Sequence, residues 1–136
     1  MGLKVDGVVP LIQVFDMPTS VAFYRDVLGF EVVTTSPPRG PDDFDWGLLR
    51  REGIALMLNT AYEVDARPPV RDSSRVGAHG DTALFFRCPD VDAAYTYLRG
   101  KSVRVEPPVI TPYGMKQLHL ADPDGYGICF QTRVSQ

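Results

Sequence analysis

The chain has 136 residues, 44% of them hydrophobic and 23% charged, with a formal net charge of -3. That length suits one domain, and that balance suits a globular chain with its own core rather than a disordered one. No apolar run approaches the roughly 20 residues of a membrane-spanning helix, and no Lys/Arg cluster is long enough to track phosphates, so neither a membrane nor a nucleic acid is expected as a partner. The start, MGLKVDGVVPLIQVFD, lacks the basic cluster, long apolar stretch and small-residue cleavage site of a secretory signal, so a cytoplasmic protein is expected. Cys88 and Cys129 are too few for a disulfide scaffold and read as reduced, mostly buried thiols. His79 and His119, the only two histidines, limit any metal chemistry.

In chain order, the strand-like run GVVPLIQVF leads into Asp16-Met17-Pro18-Thr19-Ser20 and then VAFYRDVLGF. Asp16 is a helix cap, Pro18 suits the first turn, Val21, Tyr24, Val27 and Leu28 follow helical spacing, and Gly29 is the stop. Strands are expected at Phe30 to Thr34, at FDWGLLRR and at IALMLNT, the last two separated by a Glu52-Gly53 turn. Tyr62 to Gly80, with its Pro68-Pro69 pair, reads as an irregular connector in which His79 is a solvent-exposed loop residue. The strand TALFFRC then leads to a second helix capped by Asp90, with Val91, Ala94, Tyr95 and Leu98 on one face and Gly100 as its stop. A short strand is expected at Val103 to Val105. MKQLHLA and YGICFQTR follow, separated by Asp122-Pro123-Asp124-Gly125, a strong turn because Pro presets φ and Gly accepts positive φ.

The order is strand-helix-strand-strand-strand, twice, with the two caps about half the chain apart. Repetition of a supersecondary unit is the main organisational signal. It divides one domain, 1–136, into half-modules at about 1–62 and 81–136 joined by a connector at about 63–80.

Three stretches in this order, VFDMPTSVAFYRDVLGFEV, CPDVDAAYTYLRGKSVRV and YGMKQLHLADPDGYGICFQ, resemble the vicinal-oxygen-chelate superfamily, the group of glyoxalase I, extradiol dioxygenases and bleomycin-resistance proteins. The resemblance covers nearly the whole chain. It implies an α+β fold of two tandem βαβββ modules whose curved mixed sheets surround a cleft, and a homodimer. Metal-dependent members carry ligands on the first and last strands of each module. Counting from the caps and the turn, those positions fall at Val9, Ala83, Cys129 and, near the end of the first module, Ala55 or Met57. Only Cys129 offers a donor, and one thiolate does not make a site. The resemblance therefore points to a metal-free branch with no cofactor.

Strand alternation extends that expectation. With Val9 in the cleft, Leu11 and Gln13 share its face while Val8, Ile12 and Val14 face the helix. With Ala83 in the cleft, Phe85 and Arg87 join it while Leu84, Phe86 and Cys88 enter the core. Met57 and Asn59 share a face with Ala55. Gln117 and His119 face the cleft from MKQLHLA, and Gln131 shares a face with Cys129. Trp46, Tyr62 and Tyr113 are expected at the edges. The candidate ligand-binding residues are Gln13, Trp46, Met57, Asn59, Phe85, Tyr113, Gln117, His119 and Gln131. Apolar walls with sparse neutral amides suit a small molecule, with Trp46 and Phe85 placed to stack on a flat ring.

Three functions are weighed on this basis. The first is a binding protein of the bleomycin-resistance type that sequesters or carries a flat, partly aromatic compound such as an antibiotic. The second is a superfamily enzyme (lyase, isomerase or dioxygenase) with a non-standard site in which His119 acts as general acid or base. The third is an interaction module that dimerises through edge strands.

Overall fold

The computed structural model describes residues 2–134. The chain forms two compact units, Met1–Arg67 and Pro68–Gln136, each built around one four-stranded mixed sheet.

In the first unit, β1 (Leu11–Val14) runs into helix α1 (Met17–Ala22), followed by β2 (Glu31–Thr35), β3 (Trp46–Arg51) and β4 (Ile54–Thr60). The spatial order is β1-β4-β3-β2, with β1 parallel to β4 and the other pairs antiparallel. Asp16 caps α1 through the Thr19 amide, and Pro18 occupies the first turn. The helix does not continue as a regular α-helix. From Phe23 to Val27 it widens into a π-helical stretch, which keeps Tyr24 in the core edge-on to Phe23 and Phe30. Gly29 ends it at φ +82, a conformation that costs a residue with a Cβ. Ile12, Val14, Leu49, Leu56 and Leu58 are buried with Met17 and Val21. They form this unit's core.

The second unit repeats the plan. Helix α2 (Ser73–His79) precedes β5 (Ala83–Arg87), helix α3 (Val91–Gly100), β6 (Val109–Ile110), β7 (Met115–Ala121) and β8 (Gly127–Arg133), in the order β5-β8-β7-β6. Asp90 caps α3 through the Ala93 amide. Val91 and Leu98 of α3 are buried, as are Leu118, Leu120 and Ile128 of the sheet it packs on. Gly125 closes the turn between β7 and β8 at φ +90. Its amide donates to the Asp122 carbonyl at 3.1 Å, and the Asp122 carboxylate accepts from the amides of Asp124 and Tyr126.

Four expectations are corrected. The connector is not wholly irregular, because α2 forms within it under an Asp72 cap. His79 is not an exposed loop residue: it ends α2, half-buried, with Nδ1 at 2.7 Å from the Asp124 carbonyl. Residues 103–105 form no strand. The chain pairs later, at Val109 and Ile110, because Glu106, Pro107 and Pro108 interpose two residues without an N–H to give to a ladder. Val8 lies before β1 and is 88% exposed, so strand alternation does not reach it. No helix among the described residues is long and apolar enough to cross a membrane.

Candidate functional site

The nine candidate residues fall into two groups, one on each unit. On the first sheet, register places Gln13 beside Asn59 and Asn59 beside Trp46, a row across β1, β4 and β3. The next row is Leu11, Met57 and Leu48. Both rows lie opposite the buried set because side chains alternate along each strand. Asn59 Nδ2 lies 3.1 Å from the Gln13 carboxamide oxygen and 3.2 Å from the Thr60 carbonyl. Turning the Gln13 amide over instead lets its nitrogen donate to the carbonyls of Thr60 and Asn59 at 3.2 and 3.3 Å. Trp46 is half-buried, and its backbone is fixed from outside the strand. Ser36 Oγ accepts from the amides of Asp45 and Trp46, each at 3.1 Å.

The second sheet gathers the other five. Phe85, Cys129 and His119 form one row across β5, β8 and β7. Arg87, Gln131, Gln117 and Val109 form the next. Phe85 is 54% exposed and stands edge-to-face with His119, ring centroids 6.4 Å apart. Gln117 Nε2 donates to Gln131 Oε1 at 2.9 Å and to the Tyr113 hydroxyl at 3.4 Å. Its Oε1 lies 3.0 Å from His119 Nε2. With the amide nitrogen committed as donor, Gln117 presents an acceptor to His119, which assigns the proton of a neutral imidazole to Nε2. Cys129 Sγ sits 3.9 Å from the same nitrogen. Burial pushes the Cys129 thiol up from its ordinary 9.0, against a smaller lowering by a backbone hydrogen bond at Leu118. The group is thus a neutral thiol at pH 7, poorly suited as nucleophile or ligand.

Burial across these residues is uneven, and one expected placement, that of Cys88, is corrected. Gln117 is 5% exposed, beneath its partners rather than open on the sheet face. Cys129 is buried. Tyr113 is 68% exposed, joined to the amide row only through its hydroxyl. Cys88 is half-buried rather than in the core, since β5 ends one residue before it. Phe15, Tyr62 and Arg67 were not anticipated as a group. Arg67 lies over the Phe15 ring at 5.2 Å, pairs with Asp16 at 2.8 Å, and Tyr62 meets Phe15 edge-on, lining a recess of about 90 Å³. Arg67 comes from a connector without periodicity, so no sequence signal could have placed it.

The positions counted from the caps and the turn as the expected metal ligands do not fit a metal. Val9, Ala55, Met57 and Ala83 offer no oxygen or nitrogen donor, and the Cys129 thiol is held neutral. Among the described residues, no three His, Cys, Asp or Glu side chains come together.

Two repeats of βαβββ, each closing a mixed sheet with one parallel pair, define an α+β protein of the glyoxalase/bleomycin-resistance-like class. The profile of the Glyoxalase/Bleomycin resistance protein/Dioxygenase superfamily matches residues 5–130, and the chain belongs to that superfamily. Among solved structures it is similar to TnmS3, an antibiotic binding protein from Streptomyces sp. CB03234, at 26% identity and TM-score 0.70, covering 97% of this chain and 99% of that one. It is also similar to a glyoxalase/bleomycin resistance protein from the same organism, at 27% identity and TM-score 0.62, covering 91% and 97%. A lactoylglutathione lyase from Agrobacterium tumefaciens shares the fold at 24% identity and TM-score 0.67, covering 94% of each chain. Comparison with functionally curated proteins finds no match.

Proposed function

We propose that this protein is a metal-free small-molecule binding protein of the bleomycin-resistance type, which sequesters or carries a flat, partly aromatic compound. The observation that carries this reading is Phe85, an exposed ring beside an ordered row of neutral hydrogen-bonding groups. A solvated aromatic ring offers a stacking surface. Prearranged amides orient a ligand without the desolvation cost of a buried charge. The likeness to an antibiotic binding protein adds an antibiotic-like metabolite as the ligand class. Two unpaired thiols, Cys88 and Cys129, suit a reducing cytoplasm. The reading also takes the chain to work as a homodimer, which light scattering after size exclusion tests.

Thermal denaturation with a library of aromatic antibiotics and metabolites is the test. A ligand raises the melting temperature with its concentration over its dissociation constant, and Phe85→Ala abolishes the rise. No shift with any compound and no change in Trp46 fluorescence would remove the proposal.

The Nε2 contact of His119 with Gln117 favours a second reading, an enzyme in which this imidazole accepts a proton at Nδ1 while Gln117 holds its tautomer. Once a substrate is in hand, His119→Ala with turnover intact removes it.

A further inference from the structure

Beside the amide row, the second unit has a groove of about 540 Å³ that the candidate residues reach only at Gln131. Arg87 and Arg133 line it together with Pro89, Met115 and Thr132. Arg87 is paired in register with Gln131 on the neighbouring strand β8. Arg133 lies two residues further along β8, on the same face by strand alternation, and is paired with Met115. The two guanidinium groups thus rise from adjacent strands into one groove.

Both arginines are exposed, and neither has a hydrogen-bond, ion-pair or ring partner among the described residues. By contrast Arg25, Arg39 and Arg67 are each held by a carboxylate. Among the described residues, no carboxylate lines the groove. In a chain of net charge -3, two neighbouring unpaired guanidinium groups form a local positive field, at a site where the remaining surface is apolar or neutral. A guanidinium presents a planar fork of donors that matches an oxyanion bidentately. Met115 adds a polarizable thioether suited to the edge of an aromatic ring. The volume falls within the range of small-molecule sites.

We propose that this groove binds the oxyanion of an aromatic or otherwise apolar small molecule, a carboxylate or phosphate, with Arg87 and Arg133 clamping the anion and Met115 packing on the adjoining ring. The inference builds on the small-molecule reading above, since Gln131 belongs to both the amide row and the groove. It adds a charge requirement that the reading does not contain.

The test is calorimetric titration of the full chain with 2-naphthoate, 2-naphthyl phosphate, inorganic phosphate and the uncharged 2-naphthamide. The expected result is binding of at least one naphthyl anion, tighter than the amide and than inorganic phosphate, and weakened by 0.5 M salt through screening. Arg87→Gln and Arg133→Gln each weaken the anion by about tenfold or more and leave the amide unchanged, as loss of a charge-assisted hydrogen bond requires. Circular dichroism of both variants reports that the fold is kept, and Arg87→Lys recovers part of the affinity. The relative strength of the two naphthyl anions tells carboxylate from phosphate. Failure of both anions to bind, equal binding of the amide, or indifference to both substitutions overturns the clamp. Uncharged antibiotics that still raise the melting temperature in a Phe85-dependent way would then leave the binding-protein reading standing alone.

Discussion

The His79 imidazole lies flat against the Tyr126 ring, with centroids 4.1 Å apart and planes 9° from parallel. Its Nδ1 meets the Asp124 carbonyl at 2.7 Å. The last residue of α2 is thereby fastened to the turn between β7 and β8. His79→Ala removes a ring stack and two hydrogen bonds, the second between Nε2 and the Tyr126 hydroxyl at 3.3 Å, an expected loss of about 1–2 kcal/mol. Urea denaturation measures it, and faster amide exchange at Gly125 shows that the loss is local.

Gly125 of the same turn lies against the backbone of α2 at Val76. A Cβ there would stand 2.5 Å from the Val76 carbonyl oxygen, on a backbone at φ +90. Gly125→Ala therefore combines left-handed strain with a backbone clash, and about 2 kcal/mol or more is expected. Gly53→Ala, with nothing within 4 Å of its Cβ, costs less than about 1 kcal/mol. Equal midpoints for the two variants in urea would contradict the close approach.

Burial alone would raise the Asp16 carboxyl, but hydrogen bonds from Thr19 and Arg67 outweigh it and hold the group below its ordinary 3.8. A carboxylate shifted down on folding stabilises the fold above its unfolded value. That stabilisation is lost as pH falls through the lower folded value. Asp16→Ala is expected to cost about 1 kcal/mol at pH 7 through the lost cap. The gap between variant and parent narrows once pH falls below 3.8. Paired urea titrations at pH 7 and pH 3 check both parts.

Burial shifts the Cys129 thiol in the other direction, above 9.0. An acid raised on folding stabilises the fold below its unfolded value. The contribution drains away as pH climbs from the unfolded toward the folded value. Stability at pH 10 therefore recovers relative to pH 8 in Cys129→Ala compared with the parent. Iodoacetamide at neutral pH labels the half-buried Cys88 well before Cys129, as mass spectrometry of digested protein reports.

Much of the fold was legible because its signals are local. IALMLNT and MKQLHLA coincide with β4 and β7 to the residue, since alternation over seven positions shows where a strand runs. Asp16 and Asp90 announce helix starts because a short acidic side chain satisfies the free amides of the first turn. The strand at 103–105 failed for want of tertiary information: Val103 and Val105 carry strand-forming side chains, yet pairing waits until Val109 reaches Gln117. The candidate site was legible only as faces. Alternation put Gln117 and His119 on one side of β7, but register and neighbours left Gln117 buried and His119 exposed.

The sequence by itself determined the twice-repeated strand-helix-strand-strand-strand order, the caps, the turn at Asp122–Gly125, and side chains without an oxygen or nitrogen donor at Val9, Ala55, Met57 and Ala83. These follow from properties each residue carries with it: a fixed φ, a capping oxygen, a missing Cβ, the presence or absence of a donor atom. Tertiary structure alone decided that His79 stacks on Tyr126, that Gln117 ties Tyr113, Gln131 and His119 into one network, and that Arg87 and Arg133 share a groove with no carboxylate among its described lining residues. The His79–Tyr126 stack, the Gln117–Gln131 hydrogen bond and the Arg87–Arg133 pair join residues far apart in the chain or on neighbouring strands. Such contacts depend on strand register and on which face is covered, and neither quantity is written in local spacing.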